Sequence, residues 1–88
     1  MIKRMTSAQL RAARGLIRWS ALDLANAAKL GVATVRRAEL VDGEVQMTLA
    51  NEAALRRALE TAGVEFIDEN GGGVGVRLRK SSKQHHRK

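Results

Sequence analysis

The sequence predicts a mainly α fold of short helices closed by a C-terminal β-hairpin, and three observations carry that expectation. First, hydrophobic residues supply 44% of the 88-residue chain but aromatics only 2%. The core must therefore be built from Ala, Leu, Val and Ile, a composition suited to close helix packing. Second, apolar residues recur at helical spacing in successive segments that open on side chains able to cap a helix. Third, the apolar period changes from helical to alternating after Gly63, which marks a switch to strands.

Residues 1–5 read as a flexible lead carrying Lys3 and Arg4. Thr6 stands three residues before Gln9, the spacing of a capping box, in which two side chains each satisfy a free backbone N–H. Leu10, Ala13, Leu16 and Ile17 follow at helical spacing with Arg11, Arg14 and Arg18 between them, so a helix is expected over about residues 7–18. Gly15 lowers its stability by ~1 kcal/mol relative to Ala, tolerable near the end of a packed helix. Trp19 closes this helix and is expected to cover its junction with the next.

The stretch Ser20 to Glu39, SALDLANAAKLGVATVRRAE, organises the rest of the chain. Ser20 and Asp23 repeat the capping spacing, and a helix is expected over 21–28. Ala25 and Ala28 are small enough to let a neighbouring helix approach closely. Lys29-Leu30-Gly31 leaves room only for a sharp turn. Lys29 falls where the backbone wants a left-handed conformation, at ~1–2 kcal/mol for a residue with a Cβ. Gly31 is a permissible but weak cap for a third helix over 32–39, with Val35 turned inward and Arg36 and Arg37 turned out. Two short helices across a tight turn, with a basic outer face, describe a helix-turn-helix.

Residues 40–48 form a connection with a turn at Asp42-Gly43. Thr48 or Asn51 caps a fourth helix that runs to about Ala62 and stops at Gly63. It buries Leu55, Leu59 and Ala62, with Leu49 or Ala58 flanking. Glu65-Phe66-Ile67 begins a strand, Asp68 to Gly73 turns, and Val74, Val76 and Leu78 alternate with Gly75, Arg77 and Arg79 in a second strand. The expected organisation is a lead over 1–5, a helical domain over 6–63, a hairpin over 64–79 and a basic, disordered tail over 80–88.

Charge is uneven along the chain. The net charge is +7, but residues 77–88 hold six cations and no acid, whereas the first 76 residues hold ten cations against nine acids. Net charge therefore says little about a polyanionic partner for the body of the chain, and the local arrangement must carry that inference. The tail reads either as an arm that adds phosphate contacts or as a solubilising end. Each phosphate it neutralised would steepen the slope of log affinity against log salt by ~0.9.

Composition also excludes several classes. The chain has no Cys, which rules out disulfides, thiolate metal sites and a cysteine nucleophile. No apolar run approaches the ~20 residues that span a bilayer, and no signal-peptide pattern opens the chain. A cytoplasmic location with no membrane partner is therefore expected. No carboxylate pair, nucleophile–base set or phosphate-cradling loop is visible, and Gly71-Gly72-Gly73 leads into a strand rather than a helix. His85 and His86, adjacent in the tail, read as solvent-exposed side chains rather than metal ligands. No catalytic residue, metal or cofactor is expected, and the chain is not expected to be an enzyme.

Ser20 to Glu39 resembles the Cro/repressor-type helix-turn-helix family of transcriptional regulators. Leu24-Ala25 matches that family's pair in its second helix, Val35 its β-branched residue inside the third, and Glu39 the acid at its end. The segment Asn51 to Ile67, with the later GGGVGVRLR, is similar to a subgroup of very small bacterial regulators whose helical domain ends in a short β element. The likeness spans about residues 6–79. It implies a repressor-like DNA-binding domain of four to five helices with a short C-terminal β-hairpin. It also implies that Arg14 pairs with Glu39 and fixes the first helix against the third. Two departures stand out: Ala21 replaces a Gln that can contact phosphate, and Lys29-Leu30-Gly31 replaces the usual Gly-Val-Ser. Both remove polar donors without altering the shape.

A helix laid in the major groove presents its first residues, and those one turn later, to base edges. Here these are Val32, Ala33, Thr34 and Arg37. Arg37 suits guanine O6 and N7, a bidentate contact worth ~1–3 kcal/mol of discrimination. Ala33 and the Thr34 methyl suit a thymine methyl, Arg36 is assigned to phosphate, and Ser20 to the DNA backbone. Arg56 and Arg57 read equally as surface charges or as flanks of that backbone. The expected function is a sequence-specific regulator of double-stranded DNA, most simply a repressor. It is expected to act as a homodimer through the strand around Val74–Leu78 or the outer face of the fourth helix. The alternative is a helix-turn-helix that binds a regulatory protein partner, antiactivator-like, without specific DNA binding. The missing polar donors at Ala21 and Val32 favour it.

Overall fold

The computed structural model describes residues 4–79. Within them the chain forms α1 (Ser7–Ile17), α2 (Ala21–Ala28), α3 (Val32–Leu40), α4 (Leu49–Thr61), β1 (Val64–Ile67) and β2 (Gly75–Leu78). There are four helices among the described residues and no fifth, and the two strands pair antiparallel. The architecture is mainly α with a small β-hairpin. The tail expected over 80–88, with His85 and His86, lies outside the described residues, as do the first three residues of the expected lead.

Local chemistry sets the element boundaries. At α1, the Gln9 backbone N–H donates to Thr6 Oγ1 and the Thr6 N–H donates to Gln9 Oε1, each at 3.0 Å, so both halves of the capping box form. At α4 the cap is Thr48, whose hydroxyl accepts from the Asn51 N–H at 3.1 Å. Gly63 (φ 111°) ends α4, and Gly43 (φ 95°) turns the chain after α3; both need the left-handed backbone that glycine adopts without steric penalty. Two residues with a Cβ share that conformation. Lys29 (φ 60°) does so where the sequence predicts it, and Arg18 (φ 59°) where it does not, which ends α1 at Ile17.

Leu10 and Ala13 of α1, Leu24 and Ala25 of α2, Val35 and Ala38 of α3, Leu55 and Leu59 of α4 and Val64 of β1 meet in one buried cluster. Met5 and Val45 complete it. They meet because the chain before α1 runs antiparallel to the connection after α3. Val45 N–H donates to the Met5 carbonyl at 3.0 Å and Ser7 N–H to that of Gly43 at 2.8 Å. Met5 is thus core, not lead. Arg4 is also anchored: its guanidinium pairs with Glu52 of α4, and its Nη2 donates to the Met47 carbonyl at 2.8 Å. The second Glu52 oxygen accepts from the Met5 N–H at 2.6 Å, which explains how a carboxylate stays buried.

Leu16, in the apolar pattern of α1, is 39% exposed, and Ala62, expected inside, is half-buried. Of the two flanking candidates on α4, Ala58 packs against the core and Leu49 is 51% exposed. The inner seam of α1 runs through Leu10, Ala13 and Ile17, which turns Leu16 to the flank. Leu49 lies in the first turn of α4, ahead of the buried stripe Glu52, Leu55 and Leu59.

The first strand begins one residue before the expected Glu65, at the fully buried Val64, and the second begins one after the expected Val74, leaving Val74 in the loop. Phe66 pairs with Val76, and both pack against the helices, as does Val64, whose partner Leu78 is 54% exposed. On the other face, Arg77 Nε donates to Glu65 Oε1 at 2.8 Å. Gln9 serves twice: besides capping α1, its Nε2 donates to the carbonyls of Gly75 (3.0 Å) and Ile67 (3.3 Å), tying the loop end of the hairpin to the helices. The Arg56 guanidinium lies 4.7 Å from the Phe66 ring centroid, so this cation helps dock β1. Arg57 is exposed.

Candidate functional site

The residues singled out by the sequence lie on α2, the turn and α3. Ser20 accepts from the Asp23 backbone N–H at 2.9 Å and Asp23 Oδ2 accepts from the Ser20 N–H at 2.9 Å, closing a second capping box. α2 ends at Lys29, whose left-handed backbone lets its N–H and that of Leu30 satisfy carbonyls in the last turn, with Leu30 N–H donating to Ala25 at 2.9 Å. Gly31 then opens α3 without any side-chain cap, its carbonyl accepting from the Thr34 N–H at 3.0 Å.

The far end of α3 is held from outside the motif. No left-handed residue closes it: Val41 is extended, with φ −100°. The last carbonyls of a helix have no partner within it, and two donors on α1 reach three carbonyls at this end. The Ser7 hydroxyl shares its one proton between the carbonyls of Ala38 (2.7 Å) and Val41, and Arg11 Nη1 donates to that of Glu39 at 2.8 Å. Arg14 meets the Glu39 side chain in a two-pronged ion pair, Nε to Oε2 at 2.6 Å and Nη2 to Oε1 at 2.8 Å, while its Nη1 donates to the Trp19 carbonyl at 2.7 Å. The hydrogen bond to Glu39 holds the Arg14 guanidinium above its ordinary pKa, against partial burial, which acts the other way. Ser7, Arg11 and Arg14 follow one another by four and three residues along one face of α1. That spacing is legible in the sequence, but it identifies nothing until α3 is known to end opposite it. Sequence reasoning found Arg14 alone.

Because α1 grips one face of α3, the opposite face is uncovered among the described residues. Val35 and Ala38 are buried, whereas Ala33, Arg36 and Arg37 are exposed. Among the described residues, neither Arg36 nor Arg37 forms an ion pair. Ser20 is exposed at the start of α2, so its hydroxyl proton remains available while its oxygen serves the cap. Val32 and Thr34 are half-buried, and Val32 packs against the core, so these two present less of themselves than the sequence suggests. Asp23 is the contribution the sequence did not weigh. Its carboxylate occupies the Ser20 N–H at the helix end where a phosphate would be attracted.

The arrangement is a solvent-facing helix surface backed by α1, with two guanidinium groups that form no ion pair among the described residues. Among the described residues, no group of three or more His, Cys, Asp or Glu side chains is placed to hold a metal ion, and no helix is long and apolar enough to cross a membrane. Compared with known proteins, the chain matches no family model and none of the curated sequences.

Proposed function

We propose that this chain is a sequence-specific DNA-binding regulator, repressor-like in its domain, that lays α3 in the major groove. One observation carries the proposal: the free face of α3 bears Ala33, Arg36 and Arg37, while its other face and its C-terminal carbonyls are fastened to α1. A reading helix must keep its angle to the duplex while its side chains reach base edges. Arg37 is assigned to guanine O6 and N7, Ala33 to a thymine methyl, and Arg36 and Ser20 to phosphates. Val32 and Thr34 act at the margin, through the parts they leave exposed. Two copies on a two-fold operator would place their α3 helices ~34 Å apart. The exposed apolar residues of the hairpin, Val74 and Leu78, are the proposed dimer surface.

A protein-binding helix-turn-helix without specific DNA affinity is the second reading. Asp23 favours it, because a carboxylate at the N-terminus of α2 opposes an approaching phosphate, and Ala21 offers no side-chain donor there. Gel shift and footprinting on DNA upstream of the chain's own gene, at physiological salt, separate the two. A protected two-fold site that resists competitor DNA supports the regulator. Retardation that competitor of any sequence removes equally well would refute it.

A further inference from the structure

A groove runs between Trp19, the C-terminal end of α2 and the side of α4, with a volume of about 390 Å³. Its floor is made of small side chains, Ala27 and Ala28 from α2 and Ala54, Ala58 and Ala62 from α4. Lys29 and Arg57 also line it. Both are exposed, and neither forms an ion pair among the described residues. Among the described residues, no acid lines the groove.

We propose that this groove docks the apolar face of an acidic amphipathic helix from a partner protein, a site independent of the DNA reading. The alanines leave depth that Leu- or Ile-sized side chains of a docking helix would fill, the usual helix-in-groove mode. The Trp19 ring supplies a large apolar wall of the kind that anchors such contacts. Charge selects the occupant: two cations without partners beside an apolar floor favour carboxylates flanking the apolar stripe. The chain's own C-terminal segment is the wrong occupant, because KSSKQHHRK over residues 80–88 is cationic and carries no aliphatic side chain.

Trp19 is the only tryptophan in the chain, so its fluorescence reports on the groove directly. The probes are a helical peptide with Leu at positions i, i+3, i+4 and i+7 flanked by Glu, and the same peptide with Lys in place of every Glu. The Glu peptide is expected to shift Trp19 emission saturably and the Lys peptide not to. Arg57→Glu should weaken the Glu peptide by roughly tenfold, since it turns an attraction into a repulsion. Lys29→Glu is measured in parallel, so that a folding defect seen by circular dichroism in one variant leaves the other to decide. Absence of any shift, equal shifts from both peptides, or binding indifferent to both reversals would each overturn the proposal. A Trp19 shift that grows with protein concentration alone would overturn it too, by giving the groove to a second copy.

Discussion

Cutting Glu39 back to Ala tests how α3 is held. The carboxylate receives two bonds from Arg14, at 2.6 and 2.8 Å, and the two side chains keep 23% and 11% exposure for Arg14 and Glu39. Without Glu39 the Arg14 guanidinium retains one bond, to the Trp19 carbonyl at 2.7 Å. A hydrogen bond to a charged group is worth ~1.5–3 kcal/mol, and orphaning a fully buried charge costs ~3–5 kcal/mol. Since Arg14 still reaches water, the expected loss falls at the lower end, ~2–3 kcal/mol. A domain of this size has a total stability of roughly 4–13 kcal/mol. At ~4–8 °C per kcal/mol, the melting temperature should drop by roughly 10–20 °C. Urea and thermal unfolding followed by far-UV circular dichroism measure this, in a cycle of Glu39→Ala, Arg14→Ala and the double variant. The pair predicts a coupling energy well above the ~0.5 kcal/mol within which independent sites add, and one that 1 M NaCl weakens only in part, because the pair is partly buried. An additive cycle, or an unchanged melting curve for Glu39→Ala, would show that α3 is not held this way. Replacing both partners with apolar residues, Arg14→Met with Glu39→Leu, should recover most of the stability.

Four further outcomes are expected. Arg37→Ala should relax base preference in competition gel shifts, at ~1–3 kcal/mol of lost discrimination, whereas Arg36→Ala should weaken binding to all sequences alike; unchanged preference in Arg37→Ala would sink the assignment. Asp23→Asn keeps an acceptor for the Ser20 N–H but removes the charge, so DNA affinity should rise several-fold at low salt and converge with the parent at high salt. Lys29→Gly relieves a left-handed backbone worth ~1–2 kcal/mol against glycine's own ~0.5–1 kcal/mol of lost chain entropy, so the melting temperature should rise by a few degrees. The hydrogen bond from Arg77 holds the Glu65 carboxyl below the ordinary carboxylate pKa. This folded-state pKa is depressed, so its contribution is present above the unfolded value and fades as pH falls through the folded one. An NMR titration of Glu65 should show that low midpoint and its return to the ordinary value in Arg77→Ala.

The elements that write their signals locally are the ones the sequence shows. Thr6 with Gln9 and Ser20 with Asp23 are capping pairs three residues apart, and both boxes form. Gly43 and Gly63 mark reversals that require positive φ. The outward turn of Arg36 and Arg37 follows from Val35 and Ala38 facing inward on the same helix. Periodicity is less reliable at the margins, where Leu16 fits an apolar pattern yet is 39% exposed. It also missed single residues with no periodic neighbours: Met5 and Val45 enter the core only because two irregular segments pair across the fold.

What the sequence determines by itself is the mainly α class, the helix boundaries to within a residue or two, and the sharp turn at Lys29. Each depends on groups three or four positions apart, whose hydrogen bonds and steric limits are settled within one turn of chain. What only the tertiary structure decides is how those pieces hold one another. Ser7 and Arg11 meet the carbonyl end of α3 from 28 to 34 positions away, Gln9 reaches the hairpin across 58 and 66, and Glu52 reaches Met5 across 47. The alanine-floored groove beside Trp19 likewise exists only once α2 and α4 pack together. Such contacts join unsatisfied polar groups and apolar faces that packing alone brings together, so the sequence names the partners without pairing them.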